Sequence, residues 1–237
     1  MFEAERDGLD ALTATRAIRV PQPLCCGIAE GQAYLVMEYI EMGRANSCSD
    51  REAGEQLAAL HCHSADSFGW RRDNVIGLTP QKNHCTEEWA DFWREQRLGY
   101  QLALAASNGY GERLQSQGER LLELVPTFLN HSPLPSLLHG DLWSGNMAYD
   151  LKGHPVIYDP AVYYGDRETD LAMTELFGGF SADFYAAYRQ QWPLDSGYQT
   201  RKTLYNLYHI LNHLNLFGGG YLSQAQSMVD HLLAEVN

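Results

Sequence analysis

Two aspartates and an asparagine carry the clearest chemistry in this sequence. Residues 139–146 read HGDLWSGN, and a short apolar run then leads to Asp159 in the tetrapeptide IYDP. Phosphoryl transfer from a nucleotide needs one carboxylate that orients or deprotonates the attacking hydroxyl, and oxygen ligands that hold Mg²⁺ on the phosphates. These residues supply that set: Asp141 is the candidate catalytic carboxylate, and Asn146 and Asp159 are the candidate metal ligands.

The same loop also has a plainer interpretation as a turn, because Asp, Gly and Asn are common turn formers. The full set at fixed offsets, followed by an apolar run and then Asp159, favours a functional site. We expect His139 to brace the loop by hydrogen bonding and not to transfer protons. Between residues 139 and 175 acidic side chains outnumber basic ones, and a bound cation would relieve that concentration of charge.

The elements that position these residues form a small β insert in a mostly helical chain. Short apolar runs separated by polar turns predict two or three strands within 136–160, including a hairpin at 147–158. Another apolar run at 33–37 predicts a strand that leads into a connector. Helical periodicity and cap signals predict helices over 2–15, from a capping box at Ser49 and Glu52, from Thr86, over 112–125, and through much of the chain after 160.

Composition and charge exclude several classes of function. The chain has 237 residues, 45% of them hydrophobic, and 30 acidic against 17 basic residues give a net charge of −13. Such a charge argues against general nucleic-acid binding and against anionic membranes, where affinity comes from Lys and Arg on phosphates. No apolar stretch approaches the roughly 20 residues that span a bilayer, and the N-terminus does not resemble a secretory signal. We therefore expect a cytoplasmic protein with no nucleic-acid or membrane partner.

The five cysteines agree with that expectation. Their number is odd and their spacing irregular, which favours reduced thiols over a disulfide framework. The clusters His61-Cys62-His63 and His84-Cys85 are a second candidate metal site. Neither CxxC nor HExxH spacing is present, so ordinary core or surface side chains are favoured.

Several further segments share a pattern with one known family. They are FEAE at 2–5, LVMEY at 35–39, DNVIGLTPQ at 73–81, LHGDLWSGN at 138–146, DPA at 159–161, YGDRE at 164–168, DLA at 170–172 and LFGG at 216–219. HGDLWSGN followed by IYDP is similar to the phosphotransferase signature of the aminoglycoside and choline kinase superfamily. The whole set resembles the fructosamine kinase (ketosamine kinase) family within it, and it covers the chain from end to end.

The resemblance implies an α+β protein-kinase-like fold. It divides the chain into residues 1–42, a short N-lobe remnant of one helix and short strands with the hinge, and residues 43–237, a mostly helical C-lobe with the catalytic loop. It also implies ATP and Mg²⁺ as cofactors. The expected reaction is phosphorylation of a sugar hydroxyl on a fructosamine, a glycated amine that is either a small molecule or part of a protein.

On the nucleotide side, the resemblance assigns two sets of residues. Glu5 matches the helix glutamate that normally pairs with a phosphate-gripping lysine, with a solvated acid in the first turn of the helix as the alternative. The stretch Met37, Glu38, Tyr39 and Ile40 matches the hinge whose backbone reads adenine, although an ordinary edge strand would look similar.

On the substrate side, Trp143 is a candidate sugar platform, with a core tryptophan as the alternative. His209, Asn212 and His213 share one helix face and correspond to the substrate side by analogy. Asp170 matches a buried aspartate that caps a helix and supports the catalytic loop.

The family pattern begins earlier than this sequence does. In kinase-like folds a glycine-containing phosphate loop and a strand-borne lysine precede the helix of Glu5, whereas the lysines of this chain are Lys82, Lys152 and Lys202. We expect weaker kinase activity than a longer chain would have. We also expect the incomplete N-lobe to favour self-association, because it would expose a strand edge and apolar surface.

Two other functions stay open at the level of sequence. The missing lysine favours a non-catalytic, kinase-like binding module, whereas the intact trio of Asp141, Asn146 and Asp159 favours an enzyme. A kinase for aminoglycosides or amino alcohols would suit an acidic cleft, but the DNVIGLTPQ and LFGG segments favour fructosamines.

Overall fold

The structure, a computed structural model, describes residues 1–236. Its α-helices are α1 (Phe2–Thr15), α2 (Ser49–His61), α3 (Trp89–Phe92), α4 (Tyr100–Ser107), α5 (Glu112–Phe128), α6 (Glu168–Leu176), α7 (Ala182–Gln191), α8 (Tyr198–Phe217) and α9 (Leu222–Ala234). Its strands are β1 (Pro23–Ala29), β2 (Gln32–Met37), β3 (Asn74–Ile76), β4 (Thr79–Gln81), β5 (Ser136–Leu138), β6 (Met147–Tyr149), β7 (Pro155–Ile157) and β8 (Tyr163–Gly165). A π-helical segment, Trp93–Gly99, joins α3 to α4, and 3-10 turns cover Ser144–Asn146 and Gly219–Tyr221.

The chain forms two compact units, each built from two separate segments. The first comprises Met1–Ala65 and Leu134–Leu194, and the second comprises Asp66–Pro133 with the segment from Asp195 onward. The candidate catalytic residues therefore belong to the first unit, whereas the substrate residues predicted on α8 belong to the second.

In the first unit, three antiparallel strand pairs are arranged around the catalytic segment. β1 pairs with β2, β5 with β8, and β6 with β7. Met147 lies opposite Ile157 and Tyr149 opposite Pro155, so the hairpin predicted over 147–158 is confirmed. α1 contributes Leu9 and Leu12 to the core of this unit, and both side chains are fully buried.

The second unit has an aromatic core. The Trp89 indole Nε1–H donates to the Tyr205 hydroxyl over 3.0 Å, and the rings of Trp93 and Tyr205 meet edge to face with centroids 4.8 Å apart. Aromatic pairs in this geometry contribute stability beyond their buried area. α8 runs through this core, with Leu204 and Ile210 among its fully buried residues.

The helix predicted at 2–15 is confirmed by α1, but three details of the helix predictions are wrong. The helix predicted over 112–125 continues to Phe128, with Pro126 inside it. The long helix begins at Trp89 and not at Thr86, because the backbone of Thr86 exchanges two hydrogen bonds with Phe68. Ser49 does not cap α2; its hydroxyl donates instead to the carbonyl oxygen of Gly153. Within residues 1–236, no helix combines the length and apolar character needed to cross a membrane.

Candidate active site

The candidate catalytic loop, residues 139–146, connects β5 to β6, and Asp159 follows β7. Gly140 has φ +85°, and a Cβ at this position would lie 2.0 Å from the carbonyl oxygen of Ala161. Only glycine fits such a close approach with this backbone conformation. The amide of Ala161 in turn donates to the carbonyl oxygen of His139 over 2.8 Å, so the loop is fixed against the segment that carries Asp159.

Asn146 connects the three candidate residues. Its Nδ2 donates to the Asp141 carbonyl oxygen over 2.9 Å, and it lies 3.4 Å from Asp141 Oδ2 and 3.5 Å from the Asp159 carbonyl oxygen. All three contacts are to oxygen acceptors, which fixes the orientation of the amide. The Asn146 Oδ1 is consequently left for another partner.

The charge at this site is only partly compensated within the protein. Burial, and then the negative charges of Asp159 and Asp170, raise the pKa of the Asp141 carboxyl to about 7, against a small opposing effect of the Asn146 amide. The Asp159 residue has φ +57°, a left-handed conformation that is uncommon for residues other than glycine and is often found at functional sites. Holding these carboxylates close together therefore lowers the stability of the folded protein.

A buried aspartate supports the backbone of the loop. The two carboxylate oxygens of Asp170 accept hydrogen bonds from the amides of His139 and Gly140, at 2.8 and 2.9 Å. Burial alone would raise the pKa of the Asp170 carboxyl, but the hydrogen bonds from His61 and from the Gly140 amide hold that pKa below its usual value. Asp170 therefore remains an anion that ties α6 to the loop.

His61 completes this support, and sequence reasoning did not find it. Its Nε2 lies 3.2 Å from Asp170 Oδ2, and its Nδ1 lies 2.7 Å from the hydroxyl of Tyr188. The side chain is fully buried. The sequence offered only the weak His61-Cys62-His63 cluster, and the position of His61 at the end of α2 gave no sign of a partner on α6.

His139 makes one hydrogen bond within the loop and one to the segment that leads to Asp159. The Asp141 amide donates to His139 Nδ1 over 3.3 Å, and the Nε2–H lies 3.0 Å from the carbonyl oxygen of Tyr158, to which it donates. Burial lowers the pKa of the imidazole, so the ring is neutral with its proton on Nε2. In this state the ring has no free nitrogen for proton transfer.

Trp143 lies at the surface of the loop, with 38% of the residue exposed. Its ring meets Phe177 edge to face at a centroid distance of 6.3 Å. A Cβ on Gly145 would lie 2.3 Å from the indole ring, so the loop needs glycine there for the indole to fold back over it. The indole is thus held in place while one part of it faces solvent.

The residues predicted on the nucleotide side also lie in the first unit. Burial, followed by the negative charge of Asp159, raises the pKa of Glu5, which indicates that α1 brings this carboxyl towards the candidate metal ligand. In the stretch Met37–Ile40, the Glu38 amide donates to the Gln22 carbonyl oxygen over 2.8 Å. Tyr39 is 88% exposed and Ile40 is buried.

The predicted substrate residues on α8 have partners within the second unit. The Asn212 Oδ1 accepts a hydrogen bond from the Gln101 side chain over 3.2 Å. His209 is buried, and its ring packs edge to face on the Tyr208 ring with centroids 5.1 Å apart. His213 Nδ1 lies 2.8 Å from the His209 carbonyl oxygen, one turn earlier. The contact of these residues with a substrate stays a prediction.

The oxygen atoms of the first-unit site fit a hard divalent cation. Among residues 1–236, no donor is hydrogen-bonded to Asn146 Oδ1 or to the Asp159 carboxylate, and Asp141 Oδ2 has only the long contact to Asn146. Amide and carboxylate oxygens are the ligands that Mg²⁺ takes, usually with several waters. A cation would also relieve the repulsion that raises the pKa of Asp141.

Comparison with known proteins agrees with this chemistry. The family model for fructosamine kinase matches residues 1–235. A probable ketoamine kinase from Synechocystis sp. is 53% identical over 234 residues, which cover 98% of this chain and 79% of the relative. The chloroplastic protein-ribulosamine 3-kinase of Arabidopsis thaliana is 46% identical over 237 residues, covering 98% and 72% of the two chains.

Comparison with solved structures identifies the fold. A putative fructosamine-3-kinase from Haemophilus somnus superposes with a TM-score of 0.90 at 32% identity, covering 98% of this chain and 79% of the other. A thermostable mutant of aminoglycoside phosphotransferase APH(4)-Ia, in a ternary complex with AMP-PNP and hygromycin B, gives a TM-score of 0.65 at 15% identity, covering 98% and 82%. The predicted protein-kinase-like fold is therefore confirmed, and the chain belongs to the fructosamine kinase family.

Proposed function

We propose that this chain is an ATP-dependent kinase that phosphorylates a sugar hydroxyl of glycated amines, with Asp141 as the catalytic base and Asn146 and Asp159 as ligands of Mg²⁺. One observation carries the proposal: the Asn146 amide binds to both aspartate segments and leaves oxygen atoms of all three residues without strong donors. This is the donor set that metal-assisted phosphoryl transfer requires.

The proposed reaction follows from the surroundings of Asp141. The substrate hydroxyl oxygen bonds to the γ-phosphorus of ATP, the bond from that phosphorus to the bridging oxygen breaks, ADP leaves, and the hydroxyl proton passes to the Asp141 carboxylate. A raised pKa suits Asp141 to accept that proton. Mg²⁺, when bound, would neutralise charge on the phosphate oxygens. His139 and Asp170 act on the loop backbone and not on the substrate.

For the nucleotide, we assign the adenine to the backbone of Met37, Glu38, Tyr39 and Ile40. Met37 is paired with Pro23 at the end of β2 and the Glu38 amide donates to Gln22, so we propose the backbone beyond Glu38 as the part that reads the base. We also assign Glu5 to the phosphate side; the effect of Asp159 on its pKa supports this assignment. A solved structure of the same fold, the aminoglycoside phosphotransferase APH(4)-Ia, is a complex with the ATP analogue AMP-PNP, and this supports ATP as the donor.

For the acceptor, the names of the relatives support a glycated amine, either a small ketoamine or a ribulosamine on a protein. We assign the exposed indole of Trp143 to the sugar, since the apolar face of a sugar ring can stack on an aromatic surface. His209, Asn212 and His213 are proposed for the amine-bearing part of the substrate.

Three further proposals concern the chain as a whole. We propose that residues 1–42 serve the nucleotide side and that residues 43–237 form the C-lobe, a division by function that differs from the two compact units. A cytoplasmic location is kept on the basis of the five cysteines, all of them free in the structure. Self-association is proposed through β1 and β2, where Leu24, Ile28 and Val36 are exposed.

The test is turnover of Mg·ATP with a panel of glycated lysines, ribulosamines, aminoglycosides and amino alcohols. We expect phosphorylation of the glycated amines and at least about a hundredfold loss in kcat for Asp141→Asn. Asp10→Asn is the matched control, because Asp10 is a solvent-exposed carboxylate on α1. Undiminished turnover by Asp141→Asn would refute the catalytic assignment. A preference for aminoglycosides would refute the substrate class, and absence of turnover with every acceptor would favour a binding module.

A further inference from the structure

A second pocket lies in the first unit, and no residue of the candidate active site lines it. Its volume is about 420 Å³, which falls in the range of sites that bind small molecules. Its walls are the C-terminal end of α1 with the segment that follows, the first turns of α2, and the β6–β7 hairpin around Asp150 and His154. Asp141, Asn146 and Asp159 are not part of its lining.

Arg16, whose side chain is exposed at the edge of the pocket, supplies a positive charge with no direct partner in the described part of the chain. Its guanidinium makes no hydrogen bond or ion pair with any residue in the range 1–236. Its backbone stands in the left-handed region, with φ +56°, at the C-cap of α1. Glycine or asparagine is the usual residue at such a position, and strained residues of this kind cluster at ligand-binding sites. The sequence therefore places a long cation where the backbone favours a small residue.

The acidic groups of the pocket are already paired. Asp150 accepts from Arg19 over 3.1 Å and from the amides of Lys152 and His154 over 2.8 and 3.0 Å. Both oxygens of Glu52 lie within 3.0 Å of His154 Nδ1. Each carboxylate in the wall therefore has a hydrogen-bonding partner, whereas the Arg16 guanidinium has none within residues 1–236.

The other residues that line the pocket indicate what kind of uncharged part the ligand would have. Ala17, Ile18, Val20 and Pro155 supply a small apolar surface. The Gln56 amide lies beside them; its Nε2 donates to Glu52 Oε1 over 2.7 Å, and its Oε1 is the acceptor that faces a ligand. No Phe, Tyr or Trp is among the lining residues, so the pocket offers no stacking surface for a nucleotide base. A compact ligand with hydroxyl groups matches this mixture of polar and apolar wall.

We propose that this pocket binds a small polyhydroxylated oxyanion, such as a sugar phosphate or a sugar acid, with the anionic group on Arg16. An arginine fork binds phosphate or carboxylate through two parallel hydrogen bonds. The hydroxyl groups of the ligand reach Gln56 and the polar rim of Glu52 and His154. The site is separate from the proposed catalytic centre, and its occupancy needs no phosphoryl transfer.

Binding is tested by isothermal titration of the full chain with glucose 6-phosphate, gluconate, glucose and inorganic phosphate. We expect one site per chain for glucose 6-phosphate or gluconate, with the tighter of the two identifying the oxyanion. Glucose, which lacks the charge, and inorganic phosphate, which lacks the hydroxylated body, should each bind at least about tenfold more weakly.

Variants separate this site from the others. Arg16→Gly should weaken binding at least about tenfold, and it should leave folding intact because glycine suits the left-handed backbone. Arg189→Gln is the matched control, since it removes an exposed arginine from α7 in the same unit, and Asp141→Asn controls for binding at the catalytic centre. Both controls should bind like the wild type. The proposal is overturned by wild-type affinity in Arg16→Gly, by equal loss in either control, or by the absence of binding of both oxyanions at 10 mM.

Discussion

Asp141→Asn should stabilise the metal-free protein, because it removes a negative charge that burial and neighbouring carboxylates make unfavourable in the folded state. The side chain is partly buried, and its charge is opposed by Asp159 and Asp170. Asparagine has nearly the same shape, and its Oδ1 can still face the Asn146 amide, which lies 3.4 Å from Asp141 Oδ2. The substitution thus removes the charge and leaves the packing of the loop.

The sign and size of the effect follow from the pKa. The folded pKa of Asp141 is about 7, whereas an unfolded aspartate titrates at about 3.9. Because the folded pKa is higher, the contribution of this group to stability is fully present below the unfolded pKa and is lost as the pH rises through about 7. Between pH 5 and pH 8 the shift corresponds to roughly 2 pH units, or about 2.7 kcal/mol. Partial solvation of the carboxylate reduces this to about 1–2.5 kcal/mol.

Urea unfolding in EDTA at pH 5 and pH 8, followed by far-UV circular dichroism, measures this difference. At each pH, the quantity of interest is the free energy of unfolding of Asp141→Asn minus that of the wild type. This difference should be about 1–2.5 kcal/mol larger at pH 8 than at pH 5. Asp10→Asn, which removes an exposed charge, should show no such pH dependence, and Mg²⁺ should narrow the gap at pH 8 by stabilising the wild type. An equal effect of Asp141→Asn at both pH values would show that the carboxylate is not strained, and the electrostatic account of the site would be wrong.

Three other substitutions test separate parts of the first unit. Asp170→Ala leaves the amides of His139 and Gly140 without acceptors, so it should lower the free energy of unfolding by about 3–5 kcal/mol in urea. Arg16→Gly relieves a left-handed backbone; the gain offsets the entropy of glycine in the unfolded chain, so the free energy of unfolding should stay equal or rise by up to about 1 kcal/mol. Gly145→Ala places a methyl group 2.3 Å from the Trp143 ring and should displace the indole. We expect a severalfold higher KM for glycated amines with little change in KM for ATP. A KM for glycated amines equal to that of the wild type would show that Trp143 is not part of the acceptor site.

The sequence predicted the local parts of this site well because they are encoded locally. The loop HGDLWSGN and the two short strands after it lie within about 20 residues, and the hairpin register brings Asn146 next to the segment of Asp159. α1 was likewise predicted from its own periodicity. β1 was not predicted as a strand, since its register depends on pairing with β2 and Pro23 at its start is unfavourable in a central strand.

Contacts between distant segments were beyond the reach of sequence patterns. His61 and Asp170 are 109 positions apart, and nothing near either residue marks the other as its partner. The start of the helix predicted at Thr86 failed for a similar reason, because Phe68, in another segment, binds the backbone of Thr86. Local propensity gives way where a long-range backbone partner is available.

α1 and the β6–β7 hairpin each carry one end of the active site and one wall of the second pocket. Glu5 lies in the first turns of α1, where the charge of Asp159 raises its pKa, and Arg16 caps the other end of this helix, about 16 Å away along the helix axis. On the hairpin, Asn146 precedes β6, and Asp150 lies at the turn before β7. An oxyanion that fixes the end of α1 against the hairpin would favour one arrangement of Glu5 relative to the metal ligands. By linkage, bound nucleotide would change the affinity of the second pocket for the oxyanion by the factor by which the oxyanion changes the affinity for nucleotide. Titrations of glucose 6-phosphate with and without Mg·AMP-PNP measure this factor, and unequal affinities are the expected result.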